Sequence, residues 1–293
     1  MKFGMNLLLW TDTPCEEKWL PLCLRLKEMG FDGVELPIFS GDPDSYAALG
    51  RRLADLGLES TAITVRNAED NPISPDGSVR RAAVEATKHA IDCAQAAGGK
   101  LLGGPLYAAL GHFSGAPPTQ DEWGYALEYM REVATHAAAA ECSLAVEHLN
   151  RFEIYLLNCA ADGARFVRDV DRPNVGLHYD TFHANIEEKD VGAAIRGAAR
   201  EIRHVHVSEN DRGTPGHGQV RWAETFDALA AIHYDGWLTI EAFGQALPAL
   251  AAATRIWRPL FEDEEQLARD GLRFMREAWQ RRVEGMGSSN PSS

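Results

Sequence analysis

Four stretches of this 293-residue chain each end on a side chain that can hold a cation or carry a proton: Ser143-Leu-Ala-Val-Glu147, Val175-Gly-Leu-His-Tyr-Asp180, Ile202-Arg-His-Val-His206 and Trp237-Leu-Thr-Ile-Glu241. Each is short, apolar and bounded by turn residues, the pattern of a buried strand. Strand side chains alternate between faces. Leu144 and Val146, Leu177 and Tyr179, Val205 and Val207, and Leu238 and Ile240 can therefore pack one way while Glu147, Asp180, His206 and Glu241 point the other. Three carboxylates and an imidazole gathered away from water repel one another and draw protons unless a cation offsets their charge. One divalent metal resolves that conflict. An oxygen-rich set with a single imidazole and no thiolate suits Mn²⁺ first, with Co²⁺ or Mg²⁺ as alternatives, and counts against structural zinc.

Such a set converges only if the strands are neighbours with the same polarity. Short apolar runs alternate with longer amphipathic segments throughout, as in a parallel sheet with crossover helices. The expected strands are Lys2–Leu9, Gly33–Leu36, Glu59–Val65, Lys100–Gly103, Ser143–His148, Val175–Tyr179, Ile202–Val207 and Trp237–Ile240. The expected helices are Glu16–Met29, Ser45–Leu56, Ser78–Ala97, Glu122–Ala140, Ala160–Val170, Val191–Ala199, Ala223–Ile232 and Glu264–Arg282. Gly30, Gly57 and Gly98 follow helical stretches, where a left-handed cap favours glycine. Eight such units predict a single (β/α)₈ barrel over residues 1–284, with GMGSSNPSS at 285–293 as a disordered tail. In that fold the C-terminal strand ends line the active site. An open doubly wound sheet would need a phosphate-cradling glycine loop. Gly98-Gly99-Lys100 is followed by Leu101 where Ser or Thr is required, so no nucleotide cofactor is expected.

A formal net charge of −14, without a run of Lys or Arg, excludes nucleic acid and anionic membrane as natural partners. No apolar run approaches the roughly 18 residues needed to span a bilayer, and the stretch in MKFGMNLLLW is shorter than a signal-peptide core. Five scattered cysteines without CxxC spacing indicate neither a disulfide framework nor a zinc knuckle, so a reducing cytoplasm is the expected location. Cys142 and Cys159 read as small buried hydrophobes. His204, in phase with His206, is expected to support a ligand rather than be one.

The stretches AVEHLNRFE (145–153), HYDTFHANIEE (178–188), HVHVSENDR (204–212) and IEAF (240–243) resemble the ketose 3-epimerases, the D-tagatose and D-allulose (D-psicose) 3-epimerase group of the xylose-isomerase-like barrels. The resemblance runs from the first strand to about Arg282. It implies the same four metal ligands and adds Glu153, His183 and Arg212 as residues touching the ketose, expected in the loops after strands five, six and seven. It also implies a homodimer or homotetramer. Ser208, Ala242 and the segment 107–115 depart from the family pattern in positions that bear on which ketose is favoured.

Epimerisation beside a carbonyl requires a proton to leave one face and return to the other, so two bases are the minimal equipment. Glu147 and Glu241 meet that need, with a cis-enediolate between the two transfers and the metal stabilising it. The same ligands would serve an aldose–ketose isomerase or an inosose dehydratase. A metal-bearing sugar-binding protein without turnover would explain the ligands but not two facing glutamates.

Overall fold

The computed structural model of the chain describes residues 1–287. Eight parallel strands close into a barrel: β1 (Lys2–Asn6), β2 (Gly33–Pro37), β3 (Glu59–Ile63), β4 (Leu101–Gly104), β5 (Ser143–Glu147), β6 (Val175–Asp180), β7 (Ile202–Val207) and β8 (Trp237–Ile240). β8 pairs back onto β1 through Lys2 with Trp237 and Met5 with Ile240, so the sheet has no open edge. Around it run α1 (Leu20–Met29), α2 (Pro43–Asp55), α3 (Gly77–Ala96), α4 (Gln120–Ala139), α5 (Ala160–Val170), α6 (Thr181–Glu187), α7 (Val191–Gly197), α8 (Trp222–Ala231), α9 (Pro248–Thr254) and α10 (Glu264–Gly287). The expected (β/α)₈ architecture is the one observed.

The apolar phase of each strand faces the helices, and there the core lies. Leu144, Val146, Leu177, Tyr179, Val205, Val207, Leu238 and Ile240 are all buried. Each aliphatic side chain removed from water in this layer contributes on the order of 1.5–3 kcal/mol, and their number outweighs the polar groups that the opposite phase turns inwards. Helix ends are set by local chemistry. Asp42 caps α2 through Ser45 N, and Thr119 with Glu122 forms a reciprocal capping box on α4. Gly30, Gly57 and Gly98 all have positive φ, as expected of caps.

Three expectations need correction. The first strand stops at Asn6, because the Asn6 side chain accepts from Leu8 N at 2.8 Å and turns Leu7–Leu9 into a 3₁₀ turn. An apolar run alone does not distinguish that turn from a strand. Two short helices, α6 and α9, occupy segments read as connections, and α6 begins directly after Asp180, which is its N-cap. Finally, α10 runs to Gly287, into the segment expected as a tail, whose remaining residues, 288–293, lie outside the described residues.

The mouth of the barrel constrains its backbone at Gly104, the last residue of β4, which has φ +121°, and a Cβ there would meet the Thr64 carbonyl oxygen at 2.3 Å. Gly104→Ala is expected to lower the unfolding free energy by about 2–4 kcal/mol. Denaturant titration measures this, and a loss below about 0.5 kcal/mol would show that the contact relaxes freely.

Candidate metal centre

The inward phase of the last four strands is polar. β-pairing sets Glu147 beside His178, Asp180 beside His206, and His206 beside Thr239, so that successive inward residues spiral round the barrel end. One ligand atom from each of Glu147, Asp180, His206 and Glu241 lies within 4.8 Å of the others, and all four residues are buried. Two donors on opposite sides of a cation bonded at about 2.2 Å are about 4.4 Å apart, so a contraction of a few tenths of an ångström would bring the set to ligation distance.

Each ligand is aimed by something specific. Asp180 closes β6 and caps α6 with Oδ1, which accepts from Phe182 N at 2.6 Å and His183 N at 3.3 Å, leaving Oδ2 to face His206 and Arg212. His206 offers Nδ1, buried and without a well-formed hydrogen bond, at 3.5 Å from Asp180 Oδ2 and 3.4 Å from Glu241 Oε1. Once that nitrogen gives up its proton, its lone pair among carboxylate oxygens is the donor arrangement a divalent cation takes. Glu241 follows β8 directly and receives Arg212 Nη1 at 2.7 Å. Glu147 has no such partner: the basic side-chain nitrogens nearest it are His183 Nε2 at 3.7 Å and His178 Nδ1 at 3.9 Å.

Electrostatics follow from these placements. Burial and then Glu241 raise the Glu147 carboxyl well above the usual carboxylate range. Burial opposes the Asp180 charge, but Arg212 and the His206 contact outweigh it and hold that carboxyl well below its ordinary value. Burial would lower His206, yet Glu35 and then Glu241 raise it well above. His183 is pushed well below its ordinary value, chiefly by burial, and is a neutral imidazole. The protons on Glu147 and His206 can thus be exchanged for the two charges of a divalent cation, and the residues fit a metal on charge as well as on donor type.

Around this set stand the other expected residues. His183 lies on α6 rather than in a loop, because the Asp180 cap starts a helix at once. Its Nδ1 accepts from Asn150 N at 3.0 Å, which leaves the hydrogen on Nε2, the nitrogen facing Glu147. Arg212 Nη2 lies 3.1 Å from that Nε2, a close approach of two N–H groups rather than a hydrogen bond, because a neutral ring whose Nδ1 accepts has no lone pair left at Nε2. The guanidinium stacks on Phe182 at 3.7 Å and Phe243 at 4.9 Å. Arg212 adopts φ +66°, held by Glu209, whose backbone carbonyl accepts from Arg212 N at 2.9 Å and whose buried carboxylate accepts from Gly216 N, Val220 N and Trp222 Nε1. Glu153 sits at the rim, partly exposed, and accepts from Asn150 Nδ2 at 2.8 Å. A cavity of about 460 Å³ lies beside Arg212, lined by Phe182, Asp211, Ile256, Trp257 and Leu260.

Several participants escape a strand-end reading: Glu35, Asn6, Thr61, His178, Asn150 and Glu209. Of these, Glu35 carries a signal, as the one charged residue in the apolar stretch Gly33-Val-Glu-Leu36 and on its inward phase. His204 does not touch the ligand set as a donor; it gives Nε2 to Glu35 at 2.7 Å. Cys142 is buried as expected, whereas Cys159 is partly exposed at the start of α5; burial raises both thiols to about 11, so neither is a ready nucleophile. Among the described residues no helix is long and apolar enough to cross a membrane.

A family model described as the xylose isomerase-like TIM barrel matches residues 23–278. The L-ribulose 3-epimerase of Mesorhizobium japonicum is 36% identical, over 94% of this chain and 93% of the relative. A solved L-ribulose 3-epimerase superposes with a TM-score of 0.91 at 35% identity, covering 100% of this chain and 99% of that one. The D-psicose 3-epimerase from Clostridium cellulolyticum, solved with D-tagatose, gives a TM-score of 0.85 at 31% identity, covering 95% and 99%.

Proton balance at the ligands makes metal binding pH-dependent with a definite sign. Glu147 and His206 both hold protons more tightly folded than unfolded. Each therefore stabilises the metal-free fold below its unfolded pKa, and that contribution is lost as the pH rises through its folded value. The rise in melting temperature on adding Mn²⁺ is expected to be larger at about pH 8 than at about pH 6. An equal or smaller shift at the higher pH, read by calorimetry, would contradict this balance.

Proposed function

The chain belongs to the ketose 3-epimerases of the xylose isomerase-like TIM barrel family, and we propose that it inverts C3 of a free ketose by passing the C3 proton between Glu147 and Glu241 on opposite faces of the sugar. One observation carries the reading: these glutamates end β5 and follow β8, share one buried ligand cluster, and differ in environment. Glu241 is ion-paired with Arg212, whereas Glu147 lacks a close cation. Two carboxyls so distinguished can be acid and base in the same turnover, exchanging roles with direction.

A divalent cation held by Glu147, Asp180, His206 and Glu241, with Mn²⁺ first among candidates, would supply Lewis acidity at the sugar oxygens and so make the C3 proton acidic. The remaining work falls to this chain's own side chains. The neutral His183 donates from Nε2 to a sugar oxygen, and its Nδ1 is kept an acceptor by Asn150. Arg212 is a fixed cation pinned between two rings, ready to stabilise negative charge that develops as the C3 proton leaves and a cis-enediolate forms. Glu153, tied to Asn150, accepts from a hydroxyl at the rim and fixes the sugar's register. The names of the relatives place L-ribulose, D-psicose and D-tagatose at the head of the substrates to try.

Incubating the Mn²⁺-loaded protein with these ketoses in D₂O is expected to give the C3 epimer with deuterium at C3, read by NMR. Label confined to C1 or C2 would make the chain an aldose–ketose isomerase, and a product lighter by one water would make it a dehydratase. Binding without any change would leave a sugar-binding protein.

Glu147→Gln and Glu241→Gln should each lower kcat by about 10³-fold or more. His183→Ala should lower kcat/KM by about 10²-fold while the metal content stays at the wild-type level. Wild-type kinetics in the His183 variant would remove that residue from the site.

A further inference from the structure

Beneath the ligand set lies a carboxylate to which the ketose chemistry gives no part. Glu35 sits in the middle of β2, fully buried, with Asn6 and Thr61 as its register partners on β1 and β3. Barrel interiors are ordinarily filled by branched aliphatic layers, and a buried carboxylate is tolerated only where hydrogen bonds satisfy it. Four donors do so here. Oε1 receives His206 Nε2 at 2.5 Å and Asn6 Nδ2 at 3.1 Å; Oε2 receives His204 Nε2 at 2.7 Å and Thr61 Oγ1 at 2.9 Å.

Two of these contacts reach the metal ligands. An imidazole binds a cation through a lone pair, so the nitrogen opposite must carry the hydrogen. Glu35 takes that hydrogen at His206 Nε2 and leaves Nδ1 as the nitrogen facing Asp180 and Glu241. The same Asn6 amide that bonds Glu35 lies 3.4 Å from Glu241 Oε1, tying a second ligand to the same carboxylate. His178 packs edge-on against the His206 ring with centroids 3.9 Å apart, so the ring has little freedom to find another partner.

We propose that Glu35 is the positioning residue of the metal centre, setting the tautomer and aim of His206 and, through Asn6, the placement of Glu241. This rests on Glu147, Asp180, His206 and Glu241 being a cation site, and is independent of which sugar is turned over. Glu35→Gln replaces one acceptor oxygen with an amino group of the same shape. Glu35→Asp keeps the charge but withdraws it from His206. Thr61→Val removes a donor that serves only Oε2.

The test is titration of the chelator-stripped full chain with Mn²⁺, following free Mn²⁺ by electron paramagnetic resonance, beside circular dichroism and thermal melts of the metal-free proteins. Wild type should bind one Mn²⁺. Glu35→Gln and Glu35→Asp should each raise the dissociation constant by about 10–100-fold with barrel circular dichroism retained, while Thr61→Val changes it by less than about threefold. Wild-type affinity in both Glu35 variants overturns the proposal, and loss of the barrel signal in both overturns it too, by making Glu35 a folding residue. No Mn²⁺ binding by the wild type is a different failure: it removes the cation site itself, and Glu35's role with it.

Discussion

Everything at the mouth of this barrel depends on neutralising carboxylates that the strand phase forces together. Glu147, Asp180 and Glu241 present oxygens within 4.8 Å of one another in a buried setting. At that separation two unit charges repel by about 3.5 kcal/mol at an effective dielectric of about 20. The repulsion among three of them is about 10 kcal/mol, as large as the whole stability of an ordinary domain. Arg212, the charged His206 and the proton on Glu147 offset that repulsion, and a divalent cation can replace the two protons. The arrangement is stable because it is nearly neutral, and part of that neutrality is carried by protons that a cation can displace.

The scaffold supplies what the site cannot. Outward aliphatic residues on the same strands are fully buried against the helices, so the backbone that carries the ligands is held by packing rather than by the ligands themselves. Rigid strand ends give the four donors their places, and α6 and the loop after β7 bring His183 and Arg212 over them. Arg212 in a left-handed conformation holds strain of about 1–3 kcal/mol, which the Glu209 clamp and the two flanking rings keep in place. A guanidinium fixed in this way needs no reorganisation to meet negative charge developing beside it, which is the part proposed for Arg212.

How much of this is legible in the chain depends on the range of the interactions. The barrel and Glu147, Asp180, His206 and Glu241 are readable because strand phase is a local property and each ligand ends an apolar run. His183, Arg212 and Glu153 come only through family resemblance. Their positions are decided by a helix cap at Asp180, a clamp at Glu209 and a bridge at Asn150, none of which has a periodicity. Glu35 stands out as a charge in an apolar strand, yet its partners His204 and His206 are 169 and 171 positions away and meet it only on barrel closure. Asn6 is hidden for the opposite reason, since the Leu7–Leu9 run beside it reads as more strand and conceals the turn its side chain makes.

The central claim is that one divalent cation is held by these four side chains. It is tested most directly by crystals grown with Mn²⁺ and diffraction data collected at the manganese absorption edge. A single anomalous peak is expected with Glu147, Asp180, His206 Nδ1 and Glu241 each within about 2.0–2.6 Å of it. A peak elsewhere, or one that any of the four side chains leaves beyond about 3 Å, would contradict the account.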